Sequence, residues 1–160
     1  MRKLLAAVLA ATLMLCSAVA EEIAFLRVEF PQGFSLELPA DWVQYPVAEE
    51  DAQAGVLHLL GDASGEKVLY IEAIQAQYAD VQALLQAAQA APGLENTGIY
   101  AFGGVEFVIV DLPEENLSGC LTLLHGQTMA FLFHPLADSD FMMEAAKIME
   151  SYVEISQAEE

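Results

Sequence analysis

Two short segments constrain the fold of this chain more than anything else in it. Val105-Glu106-Phe107-Val108-Ile109-Val110 and Met129-Ala130-Phe131-Leu132-Phe133 carry apolar side chains at odd and even positions alike. Successive side chains of a β-strand point to opposite faces, so strands of this kind must be covered on both. The connections around them are too short for crossovers. Gly103-Gly104 joins Thr97–Phe102 to Val105–Leu112, and His125-Gly126-Gln127 joins Gly119–Leu124 to Thr128–Phe133. Strands linked this tightly pair antiparallel, and a glycine pair tolerates positive φ at both turn positions. The outcome is an antiparallel sheet that needs a layer on each side.

Two amphipathic helices are available as layers. Val81, Leu84, Leu85 and Ala88 recur at helical spacing, with Gln82, Gln86 and Gln89 turned away from that face. Asp80 is placed to cap this helix and Pro92-Gly93 to stop it. Phe141, Ala145, Ile148, Met149 and Tyr152 mark one face of a second helix, opened by Asp138, Ser139 and Asp140. Elsewhere Phe34, Leu36 and Leu38 alternate with Ser35 and Glu37 until Pro39 ends the strand. Val56–Leu60 and Lys67–Ile74 read as a hairpin about the turn Gly61-Asp62-Ala63-Ser64-Gly65-Glu66. No linker, repeat or low-complexity block divides residues 21–160, which form one domain. The expected class is α+β: a three-layer α/β/α sandwich with a mainly antiparallel sheet and two amphipathic helices.

The N-terminus sets the compartment. Met1-Arg2-Lys3, the apolar run from Leu4 to Leu15, and Ala18-Val19-Ala20 before Glu21-Glu22 follow the three-part pattern of a secretory signal peptide over residues 1–20. Cleavage is expected after Ala20. Acylation at Cys16, the lipoprotein alternative, is less well supported because bulky Leu15 precedes the cysteine. Residues 21–160 keep three basic side chains, Arg27, Lys67 and Lys147, against all 24 acidic ones, a formal charge of −21. So acidic a chain is not expected to bind nucleic acid or an anionic membrane surface, both of which are held by Lys and Arg clusters. Cys120 is left alone, without an internal disulfide, and reads as a buried apolar side chain, not a reactive thiol.

Gly33-Phe34-Ser35-Leu36-Glu37-Leu38-Pro39-Ala40-Asp41-Trp42 resembles the opening "F-S-I-x-x-P-x-x-W" of PsbP-like domains. Phe133-His134-Pro135 through Phe141 to Ile148, Ser151 and Val153 resembles their last strand and closing helix. The superfamily takes in an extrinsic photosystem II subunit, a Ran-binding import factor and DcrB-type envelope lipoproteins. The resemblance spans nearly all of residues 21–160 as architecture, and implies a binding or accessory role. The basic surfaces of the photosystem subunit have no counterpart here, so neither the photosynthetic nor the Ran-binding role is carried over.

The residues that carry chemistry are few. His58, His125 and His134 are scattered without metal-ligand spacing. Asp62, Ser64 and Glu66 offer oxygens in a calcium-like rhythm, but without the twelve-residue ligand pattern, and a plain hairpin turn is expected. Glu49-Glu50-Asp51 is expected to be a solvated loop. Gly103-Gly104 lacks the strand-to-helix context and the lysine of a phosphate loop, and no nucleophile elbow or dinucleotide fingerprint occurs. Trp42 is expected to pack structurally. No catalytic residue, metal ligand or cofactor site is therefore assigned. The expected function is an exported, non-enzymatic binding or accessory module with an acidic surface, its partner a protein or a cation. The alternative is a secreted hydrolase using carboxylates and a histidine.

Overall fold

The computed structural model describes residues 24–155. The expected signal peptide, its cleavage site and Cys16 lie outside them. Strands β1 (Phe25–Phe30), β2 (Phe34–Pro39) and β3 (Val43–Tyr45) come first, followed by a short helix α1 (Glu49–Ala54). The hairpin β4 (Val56–Gly61) and β5 (Val68–Ile74) leads into helix α2 (Val81–Ala90). Next come β6 (Glu95–Phe102), β7 (Val105–Leu112), a 3-10 turn (Pro113–Glu115), β8 (Leu117–Leu124) and β9 (Gln127–His134). Helix α3 (Ser139–Glu150) and the two-residue β10 (Val153–Glu154) close the chain.

Seven strands form the central sheet in the order β3-β4-β5-β9-β8-β7-β6, every neighbouring pair antiparallel. The two doubly apolar segments are β7 and β9, and both sit inside the sheet. Their side chains divide by parity, as the sequence demands. Val108, Val110 and Ala130 pack with Leu84 and Ala88 of α2 on one face. Phe107, Met129, Phe131 and Phe133 pack with Phe141, Ala145, Ile148 and Met149 of α3 on the other. The chain is thus a sandwich of helix, sheet and helix.

The α3 side holds more than a helix. A separate small sheet, β1-β2-β10, lies in the same layer and sends Phe34, Leu36 and Leu38 into the same core. Tyr152, directly after α3, stands edge-on to Phe107 and Phe131 with ring centroids 5.0 and 5.8 Å away. Ser151 ties the helix end to β2: its hydroxyl accepts from the Glu37 amide at 2.7 Å and donates to the Ile148 carbonyl at 2.6 Å. Arg27 of β1 adds bonds to the Ser35 hydroxyl and the Ser151 carbonyl.

The caps follow the sequence. The Asp80 carboxylate accepts from the Ala83 amide, and the Asp138 carboxylate accepts from the amides of Asp140 and Phe141. Gly103 and Gly104 both have positive φ, 57° and 84°. At Gly103 a side chain is excluded outright, because a Cβ there would overlap the Tyr152 carbonyl oxygen. One expectation needs correcting. Glu49-Glu50-Asp51 is not a loop but the first turn of α1, where its three charges meet the positive end of the helix dipole. None of the residues of α1 is buried, so no hydrophobic face announces it.

Candidate functional site

The three histidines do not converge into one cluster among the described residues, although His58 and His125 both lie against the turn that holds Gln32 and Gly33. The His58 ring lies edge-on to Phe30, with Nε2 3.0 Å from the Gln32 side-chain oxygen, and burial lowers its pKa below the ordinary imidazole value. His125 occupies a positive-φ turn position, its ring lying against Gly33. His134 ends β9. Asp62, Ser64 and Glu66 make a self-satisfied turn. The Asp62 carboxylate accepts from the Ser64 hydroxyl at 2.8 Å and from the Glu66 and Lys67 amides at 3.0 and 3.2 Å. Those hydrogen bonds outweigh the opposing effect of desolvation and lower its pKa. Trp42 packs beside Phe141, 6.2 Å between ring centroids. Among the described residues no group of three or more His, Cys, Asp or Glu side chains is arranged to hold a metal ion.

The geometry instead singles out a cleft of about 330 Å³ between α3 and the sheet. Its floor is apolar, built from Phe102 of β6, Ile109 of β7 and Phe133 of β9, and Met142 and Met149 of α3 form the roof. At one edge sit three polar side chains, Asn96, Asp111 and Ser118. Asp111 and Ser118 are directly paired across β7 and β8, and the Ser118 hydroxyl donates to Asp111 Oδ1 at 2.8 Å. Asn96 arrives by a different route. The pairing of β6 with β7 slips between Glu95 and Gly98, and Asn96 takes φ 50°. This is a bulge conformation that asparagine tolerates better than most residues. It brings Asn96 Nδ2 to 2.7 Å from Asp111 Oδ2.

These three side chains form a hydrogen-bonded polar rim centred on the Asp111 carboxylate. Asn96 and Ser118 each spend a donor on Asp111, which leaves the Asn96 carbonyl and its second N–H, the Ser118 lone pairs and the remaining lone pairs of the carboxylate as polar groups of the rim. Ser118 has no imidazole beside it to take its proton, so the rim is not a nucleophilic triad. Cys120 lines the cleft as well, but burial, and then the charge of Asp111, push its thiol up to about 12. It stays a neutral apolar wall. The hydrolase alternative therefore finds no histidine-carboxylate constellation in this cleft.

With both layers and the cleft placed, the chain can be set beside solved structures. The solution structure of cyanobacterial PsbP (CyanoP) from Synechocystis sp. PCC 6803 superposes with a TM-score of 0.56, over 87 % of this chain and 96 % of that one, at 14 % identity. The fold is PsbP-like. A crystal structure from Bacteroides thetaiotaomicron VPI-5482 matches over 83 % of this chain and 49 % of its own, with a TM-score of 0.49 and 15 % identity. By sequence, no protein family and no curated protein matches. The α3 cleft lies between the closing helix and strands β6 to β9. Among the described residues no helix is long and apolar enough to cross a membrane.

The Asn96-Asp111-Ser118 rim was not singled out from sequence. Asn96 stands three residues after Gly93 in what reads as loop, and only the strand slip turns it toward Asp111. The one available signal was Asp111 itself, a carboxylate on the same strand face as buried Phe107 and half-buried Ile109.

Proposed function

We propose that this protein is an exported, non-catalytic binding module of the accessory kind, and that its ligand seat is the α3 cleft. The observation that supports it is the pairing of an apolar floor with a polar rim around one fixed carboxylate. Such a seat takes a small apolar body whose head carries N–H or O–H donors, most favourably a cation. At about 330 Å³ the cleft suits a single ring system with a short arm. Export rests on the N-terminal pattern, and N-terminal sequencing of the protein recovered from its producing cells tests it: Glu21 is the expected first residue.

Ligand binding is tested by titrating the ¹⁵N-labelled domain with tryptamine, tryptophol and indole-3-acetate. The affinities are expected in that order, with shifts at Ile109, Ser118, Cys120 and Met149. Asp111→Asn keeps the shape of the rim and is expected to weaken tryptamine about tenfold, the loss of one charge-assisted hydrogen bond. Binding of indole-3-acetate as tight as that of tryptamine would sink the proposal, as would tryptamine shifts that avoid the cleft.

A further inference from the structure

The face of the sheet beneath α2 carries a second concavity, independent of the α3 cleft. Helix α2 lies across β6 and β7 at one end of the sheet, and β5 lies on the far side of β9 and β8. A groove of about 370 Å³ opens over that uncovered stretch. Leu117, Leu121, Ala130 and Leu132 line it from β8 and β9, and Tyr70 and Ile74 from β5. Two carboxylates line it too: Glu72, at the centre of β5, and Glu115, from the 3-10 turn.

The distribution of cations makes this groove unusual. The described residues contain three, and each belongs to the opposite side of the sheet or reaches into it. Arg27 bonds Glu37 of β2, Lys67 bonds Glu144 of α3 at 2.8 Å, and Lys147 is in α3 itself. None is on the α2 side. Glu72, half-buried on an apolar floor, therefore faces only like charge, from Glu115 and from Asp51 of α1. Its desolvation first, and those two charges second, raise its pKa. A carboxylate in that position lacks the partner that would offset its burial.

We infer that this groove docks a partner protein through a Lys or Arg side chain flanked by apolar residues. The aliphatic stem covers Leu132 and Ala130, and the cationic head comes to rest between Glu72 and Glu115. The chemistry is complementary on both counts. Long basic side chains bury their methylenes along apolar surface while presenting charge, and the groove offers two carboxylates that no cation among the described residues neutralises.

The experiment uses the domain and an end-blocked hexapeptide of alternating leucine and lysine, followed by calorimetry and amide shifts. Binding is expected with shifts confined to Tyr70, Glu72, Leu117 and Leu132. The double variant Glu72→Gln, Glu115→Gln should lose at least tenfold in affinity and gain thermal stability, which shows that it folds. Asp111→Asn should bind the peptide unchanged, so failure of the α3 cleft and failure of this groove are told apart. Equal binding by the double variant, or shifts spread over the whole acidic surface, would overturn the inference. So would n-hexylamine binding as tightly as the peptide, which would assign the groove to small amines. Dimerisation without peptide that the double variant abolishes would give the groove to a second copy instead.

Discussion

Single side chains show where the molecule gives up stability. The Tyr152 hydroxyl is buried without a hydrogen-bond partner among the described residues, with Phe34, Phe107 and Phe131 around its ring. Burial, and secondarily the charge of Glu154, push its ionisation well above the ordinary phenol range, so it stays neutral. An unsatisfied buried hydroxyl costs about 1–3 kcal/mol. Tyr152→Phe is accordingly expected to stabilise the domain by about 1 kcal/mol in a denaturant titration, since the ring packing is kept. A loss of stability would mean that the hydroxyl has a partner after all. Glu72 gives a second case, with a pH signature. Its folded pKa is raised above the ordinary 4.5, so the folded state holds its proton more tightly than the unfolded chain does. Stability therefore falls as pH rises through that window, and at neutral pH the charged Glu72 is a standing cost. Glu72→Gln should raise the melting temperature by a few degrees at pH 7 and leave it unchanged below about pH 4, where both forms are neutral. An equal gain at both pH values would point to packing instead of charge.

Among elements, α3 is held most specifically. The Lys67 ammonium bonds Glu144 Oε2 at 2.8 Å and stands 5.5 Å from the Phe141 ring centroid, and the Glu144 side chain is only 11 % exposed. This is a partly buried pair, unlike the exposed Arg27–Glu37 bridge, whose contribution is small. Glu144→Ala is expected to cost about 2 kcal/mol, measured by chemical denaturation, whereas Glu37→Ala should cost well under half of that. The sequence made α3 legible because its apolar face, its Asp138 cap and its length all agree. The same holds for α2 and for the β6–β7 and β8–β9 hairpins, where paired turn residues and doubly apolar strands leave little choice. It did not make β1 legible. Phe25-Leu26-Arg27-Val28-Glu29-Phe30 lies at the edge of the small sheet, with only Phe30 buried, so its pattern follows no strict alternation. Likewise α1 buries nothing, and the Asn96 bulge depends on how β6 meets β7, a relation between strands that local patterning does not encode.

At the scale of the whole molecule, the antiparallel sandwich could be read from two segments and their turns, and the mixed layer around α3 could not. The additional sheet beside α3 arises because β2, a strand with buried residues at nearly every position, pairs outside the central sheet and faces it from across the core. For function the sequence supported no more than an expectation. Charge counts describe the chain as a whole, whereas the segregation of every described cation to the α3 side emerges only in three dimensions. The same division has a consequence for motion. Eighteen buried side chains form the cluster on the α3 side and six the cluster under α2, to which α2 itself contributes only Leu84 and Ala88. The two sides of one sheet are therefore unequal in cooperativity. Backbone amides of α2 should exchange with deuterium through local opening, at rates nearly independent of denaturant, while those of β9 should wait for global unfolding. Uniform exchange across both would refute this. If it holds, the groove that faces a partner borders the part of the molecule able to loosen first, so docking there would be felt as a slowing of exchange along α2.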